Sequence, residues 1–167
     1  MSDSPLILRR GVTEEVYLLR FPRQPATRAL TAWDALRAGF NNVDVQYWEL
    51  TEDFYYVSDI WGPICVPKGF ITDFASIPGI FQNIVRNDSP EILCGSVVHD
   101  FLYKQCGDIG NGKILSFQQS NTELTRCMFY SNAPDVIKDG VFNAVQFGGR
   151  STWNGYCDRL GVPARKV

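Results

Sequence analysis

Two short segments hold side chains whose types and spacing suit chemistry. The first is Thr72-Asp73-x-x-Ser76, three small polar residues just after the turn-forming Pro67-Lys68-Gly69. The second is His99-Asp100-Phe101-Leu102-Tyr103, which contains the only histidine of the chain. Asp73, His99 and Asp100 together suit a divalent metal that activates water. They equally suit a metal-free arrangement, with His99 as a general base oriented by a carboxylate such as Asp73. A structural role competes with both. Asp and Ser in turns bond nearby backbone N–H groups, and a histidine on an apolar helix needs a polar partner simply to be buried. Ser76 lacks the surroundings of a nucleophile elbow, and nothing pairs a cysteine with His99 as its base. Enzyme and non-enzyme readings therefore both stay open.

The elements that must position these groups follow from local pattern. Leu6 to Arg9 and Val16 to Phe21 read as short β-rich runs, with Pro22 to Thr27 as a loop. Thr31 to Ala38 reads as a short helix capped by Thr31. Val43 to Leu50 and Phe54 to Ser58 are aromatic and β-branched, and read as a hairpin about Thr51-Glu52-Asp53. Gly62-Pro63 marks a turn, and Ile64 to Val66 a third strand. Ser76 could cap a helical turn from Pro78 to Val85.

Beyond this the pattern turns helical. Ser89-Pro90-Glu91 starts a helix that runs to about Gln105. His99 lies within it among Ile92, Val97, Val98 and Leu102, so the helix is largely buried. His99 and Tyr103, four apart, share a face, whereas Asp100 points about 100° away. Further helices fit Ser116 to Tyr130 and Asp135 to Phe147, the latter ended by Gly148-Gly149. Strands followed by about three helices predict an α+β fold: N-terminal antiparallel strands packed on a C-terminal helical group.

Composition bounds the rest. With 167 residues, 45% apolar and 20% charged, the chain suits one globular domain over 1–167. Sixteen basic and 18 acidic side chains leave a net charge of −2, which argues against phosphate-dominated nucleic-acid binding. No apolar run approaches the roughly 20 residues of a membrane span, and the first residues lack the pattern of a secretory signal. The five cysteines, 65, 94, 106, 127 and 157, are odd in number and lack C-x-x-C spacing. They read as reduced thiols of a cytosolic folding environment. Gly107 to Lys113 lacks the spacing of a phosphate loop and reads as a connector. Trp33, Trp48, Trp61 and Trp153, without interleaved basic residues, read as core and interface groups.

The two polar segments resemble a known family, the phage and prophage domain-of-unknown-function family 1353. Its first block, V-P-x-G-F-x-T-D-x-A-S-x-P, is matched from Val66 to Pro78, and its second, H-D-x-L-Y, from His99 to Tyr103. A following helix block is looser: Asn121 stands where the family usually has Asp, and Cys127-Met128 replaces Ala-Met. Ala144-Val145 with Gly148 and Trp153 resembles the closing segment. The resemblance makes about 54–153 the family-like core, with 1–50 an N-terminal arm or extension. It implies phage origin without an established activity. An amide at Asn121 is a poorer ligand for a hard cation than a carboxylate and cannot act as a base. The leading expectation is thus a structural or accessory component of the virion, in the tail or neck. It would be made in the host cytoplasm and act through other phage structural proteins or self-association, with no cofactor. Thr72, Asp73, Ser76, His99, Asp100, Tyr103 and Asn121 would then form a structural polar network. The alternatives are a metal-dependent hydrolase using Asp73, His99 and Asp100, and an inhibitor of a host protein.

Overall fold

The structure, a computed structural model, describes residues 12, 14–42, 44–74, 90–110 and 112–164. The expected strand at Leu6 to Arg9, the Ser76 and Ser89 caps and the Pro78 to Val85 turn lie outside these residues. The described chain is α+β, with antiparallel strands in its N-terminal half and helices mostly in its C-terminal half.

The first element corrects the sequence expectation. Residues Glu14–Arg20 form helix α1 rather than a strand. Local β propensity is a weak prior, and packing outweighs it here. Tyr17 and Phe21, four apart, pack at a tilt with ring centroids 5.2 Å apart, and Phe21 lies against Tyr56 at 5.3 Å. A helical turn brings that pair into contact, whereas a strand would hold the two residues about 13 Å apart on its face. Glu14 and Glu15 at the start and Arg20 at the end suit the helix dipole.

Strands β1 (Thr27–Ala29), β2 (Trp48–Leu50) and β5 (Ile71–Thr72) form an antiparallel sheet in the order β1-β2-β5. Between β1 and β2, α2 (Ala32–Arg37) is capped by Thr31, whose side chain accepts from the Asp34 N–H. β3 (Phe54–Ser58) and β4 (Gly62–Val66) form a separate hairpin, with Phe54 opposite Val66. The expected pairing of Val43 to Leu50 with Phe54 to Ser58 is therefore corrected, as is the placement of a turn at Gly62-Pro63. The tight turn lies just before, where Ser58 Oγ accepts from the N–H groups of Ile60 and Trp61. Asp53 instead accepts from Lys68 N–H at 2.8 Å, which ties the Thr51–Asp53 link to the turn leading into β5.

Among the described residues, four helices follow: α3 (Pro90–Lys104), α4 (Phe117–Tyr130), α5 (Asp135–Gly148) and α6 (Arg150–Leu160). Ser116 and Gln119 form a reciprocal capping box at the start of α4. At Gly95 a Cβ would stand only 3.1 Å from Leu124 and 3.2 Å from Cys127, so its absence lets α3 and α4 approach closely. The main core lies between the hairpin and α3, where Phe54, Tyr56, Ile64 and Val66 meet Val97, Val98, Phe101 and Leu102. A second cluster joins α4 to α5 through Leu124, Met128, Val141 and Val145. Among the described residues, no helix is long and apolar enough to cross a membrane.

α6 is one helix more than the sequence showed. It is mostly polar and is held by two buried residues four apart, Trp153 and Cys157. Cys157 is disulfide-bonded to Cys106, at the end of α3, with 5.2 Å between their Cα atoms. This corrects the reading of five reduced thiols. The partners lie 51 residues apart, so no local spacing announces the bond. Cys65, Cys94 and Cys127 are free. Denatured without reductant, the chain is expected to titrate three thiols, rising to five after reduction. Five before reduction would exclude the bond.

Candidate functional site

Helix geometry separates the adjacent His99 and Asp100. A step of about 100° turns His99 toward α4 and leaves Asp100 facing the end of β5. Both are buried. Thr72, fully buried, donates through Oγ1 to Asp100 Oδ2 at 2.5 Å and accepts from Phe74 N–H at 3.1 Å. Phe74 has φ of 52°, in the left-handed region rare for side chains of its size, and its ring packs 5.9 Å from that of Trp48. One hydroxyl thus fixes both the turn after β5 and the carboxylate of α3.

His99 is the centre of a different arrangement. Its Nε2 lies 3.0 Å from Asn121 Oδ1, and Tyr103 donates its hydroxyl to the same oxygen at 2.8 Å. An amide oxygen only accepts, so the imidazole carries its proton on Nε2. The His99 and Tyr103 rings lie 4.1 Å apart. Burial pushes the His99 pKa down to about 4, against a smaller opposing effect of the Asn121 bond. Asn121 is a neutral acceptor matched to a neutral ring, and a carboxylate there would place a charge in a fully buried position. Its Nδ2 has no hydrogen-bond partner among the described residues.

On the Asp100 side lies a cavity of about 440 Å³. Asp73, Asp100, Tyr103, Lys104, Tyr47 and Tyr156 line it, closed on one side by Gly148, Gly149 and Thr152 of the α5–α6 junction. Lys104 donates from Nζ to the Ile71 carbonyl at 2.6 Å and lies about 5 Å above the Phe40 and Phe70 rings. Burial lowers its pKa, while Asp100 and Asp73 act to raise it. The Tyr47 hydroxyl is held above its ordinary pKa by burial and then by Asp73. That of Tyr156 is raised by burial and then by Asp100. A Cβ on Gly149 would collide with the Tyr103 hydroxyl, so a glycine is needed where α5 passes into α6.

The structure therefore brings Thr72, Asp73, Asp100 and Tyr103 to one side and sets His99 and Asn121 behind them. Ser76 lies outside the described residues. Among the described residues, no group of three His, Cys, Asp or Glu side chains has the arrangement of a metal site. His99 Nε2 meets Asn121 rather than Asp73 or Asp100. Lys104, Tyr47 and Tyr156 are functional candidates that the sequence reading missed. Lys104 had a signal, standing four residues after Asp100 on the same helix face. The two tyrosines come from distant segments and had none.

Residues 48–145 match the family described as proteins of unknown function, DUF1353. The chain belongs to this family. No curated protein and no solved structure matches the sequence. The DUF1353 match spans β2 to most of α5 and includes both polar segments and Asn121. Tyr47 and Tyr156, two of the cavity's aromatic walls, fall outside the matched residues.

Proposed function

We propose that this DUF1353 protein is a phage-encoded accessory protein, a virion component of the tail or neck that acts through protein–protein contacts. The observation that carries this reading is the interior position of His99. The only imidazole of the chain faces Asn121 and Tyr103, so it braces α3 against α4 rather than meeting a substrate. Large apolar side chains left on the surface suit a protein that works by contact. Phe147 is 88% exposed and Val136 75%, on α5, and Trp33 is 64% exposed, on α2. Phage origin rests on the resemblance of Val66 to Pro78 and His99 to Tyr103 to blocks of a phage and prophage family.

The test is the protein content of purified mature particles. The chain is expected there in fixed ratio to the other structural proteins. Abundance in the lysate with absence from the particles would overturn the assignment. His99→Ala should lower both folding stability and incorporation, and a stable, normally incorporated variant would remove the bracing role.

A further inference from the structure

The cavity beside Asp100 has a lining that the accessory reading does not use. We propose that it binds a neutral, polyhydroxylated ligand, a sugar or short glycan. This goes beyond the virion assignment and does not depend on it.

The charges point to an uncharged ligand. Asp73 and Asp100 disfavour phosphates and carboxylates. Lys104, on the same wall and interacting with both acids, disfavours an ammonium group and already offsets part of their charge. What remains is hydrogen-bonding capacity of both kinds. The carboxylates accept, Lys104 donates, and the hydroxyls of Tyr47, Tyr156 and Thr152 do either. Burial first, and then the neighbouring acids, keeps the two tyrosines protonated, and so able to donate. Sugar hydroxyls need this mixture of partners. The C–H faces of a sugar ring need aromatic surfaces to pack on, and Phe40 and Tyr47, tilted against each other with centroids 4.7 Å apart, line the cavity together with Tyr156.

The walls are preorganised. Thr72 fixes the Asp100 carboxylate, the Ile71 carbonyl fixes Lys104, and the neighbouring Cys157–Cys106 bond ties down the segment bearing Tyr156. At about 440 Å³ the volume lies within the roughly 300–1,000 Å³ of small-molecule sites.

The experiment is titration of the full chain, followed by calorimetry and NMR. The probes are N-acetylglucosamine trimer, cellotriose and maltotriose, with spermidine and inorganic phosphate as charged comparisons. At least one trisaccharide is expected to bind. Asp73→Asn and Tyr156→Phe should each weaken it about tenfold, the loss expected of one hydrogen bond to a charged or well-placed group. Near-UV circular dichroism should show both variants folded. Asp73 and Tyr156 are only partly buried, which makes them safer probes than Asp100. Three results would overturn the proposal: no binding of any trisaccharide, preferential binding of spermidine or phosphate, or unchanged affinity in both variants.

Discussion

Trp153→Ala is expected to destabilise the protein by about 3 kcal/mol, lowering the melting temperature by about 10 °C for a chain of this size. Trp153 is fully buried and meets Tyr103 edge-on at 5.2 Å and Phe117 at 5.9 Å. Truncating a buried tryptophan usually costs about 3–5 kcal/mol, through lost transfer energy and the void left behind. The lower end applies here because the indole Nε1 has no hydrogen-bond partner among the described residues. Deleting that group removes a desolvation cost of about 1 kcal/mol or more. Trp153→Phe separates the two contributions. It keeps most of the packing and discards the unpaired N–H, so it should cost under about 1.5 kcal/mol. Urea unfolding of both variants measures this. Equal losses in the two would show that the N–H, rather than the volume, matters. The damage should also spread, since Tyr103 packs between Trp153 and His99 and lines the cavity.

Trp153 also shows what the sequence could and could not disclose. Its helix carries few apolar positions, so periodicity is faint, and it is a disulfide and one indole that hold it down. Both act across long separations that no local window contains. The same holds for Tyr47 and Tyr156, which meet the cavity only through tertiary packing. α1 failed for the opposite reason. Its Val16 to Leu19 run has clear β propensity, and the Tyr17–Phe21 pairing that decides for helix is visible only once Tyr56 and Phe54 lie beneath it. Where the signal is steric and local, the reading was accurate. The Thr31 cap and the limits of α3, α4 and α5 fell within one residue or so. The polar segments were legible as a group that needed partners. What the sequence left open was which side of α3 each member of His99-Asp100 would serve. Helical rotation separates them, but only the positions of Asn121 and Thr72 say what each one meets.

That separation leads to an expected pH dependence. Acidification from pH 7 to pH 4 should withdraw about 3 kcal/mol of stability through His99 alone. The unfolded imidazole takes up its proton near pH 6.5, whereas the buried ring resists protonation down to about pH 4. Above pH 6.5 neither state binds the proton and nothing is lost. Between the two values the unfolded chain is protonated and the native chain is not, so stability falls as pH falls. Below about pH 4 both are protonated and this loss levels off. Glu123 works in the other direction. Burial raises its carboxyl above the ordinary value, so its native form regains stability as pH falls through that range. The wild-type curve therefore mixes both, and the informative quantity is its difference from His99→Gln, which keeps a neutral donor for Asn121. Urea unfolding at pH 7 and pH 4 should show the wild type losing about 3 kcal/mol more than the variant, and parallel losses would refute a buried neutral imidazole. A direct check does not depend on the variant folding. His99 is the only histidine, so its ring resonances are assigned without ambiguity. They should stay constant from pH 8 to pH 5 in the folded protein, and a midpoint near 6.5 would place the ring in water and remove the brace between α3 and α4.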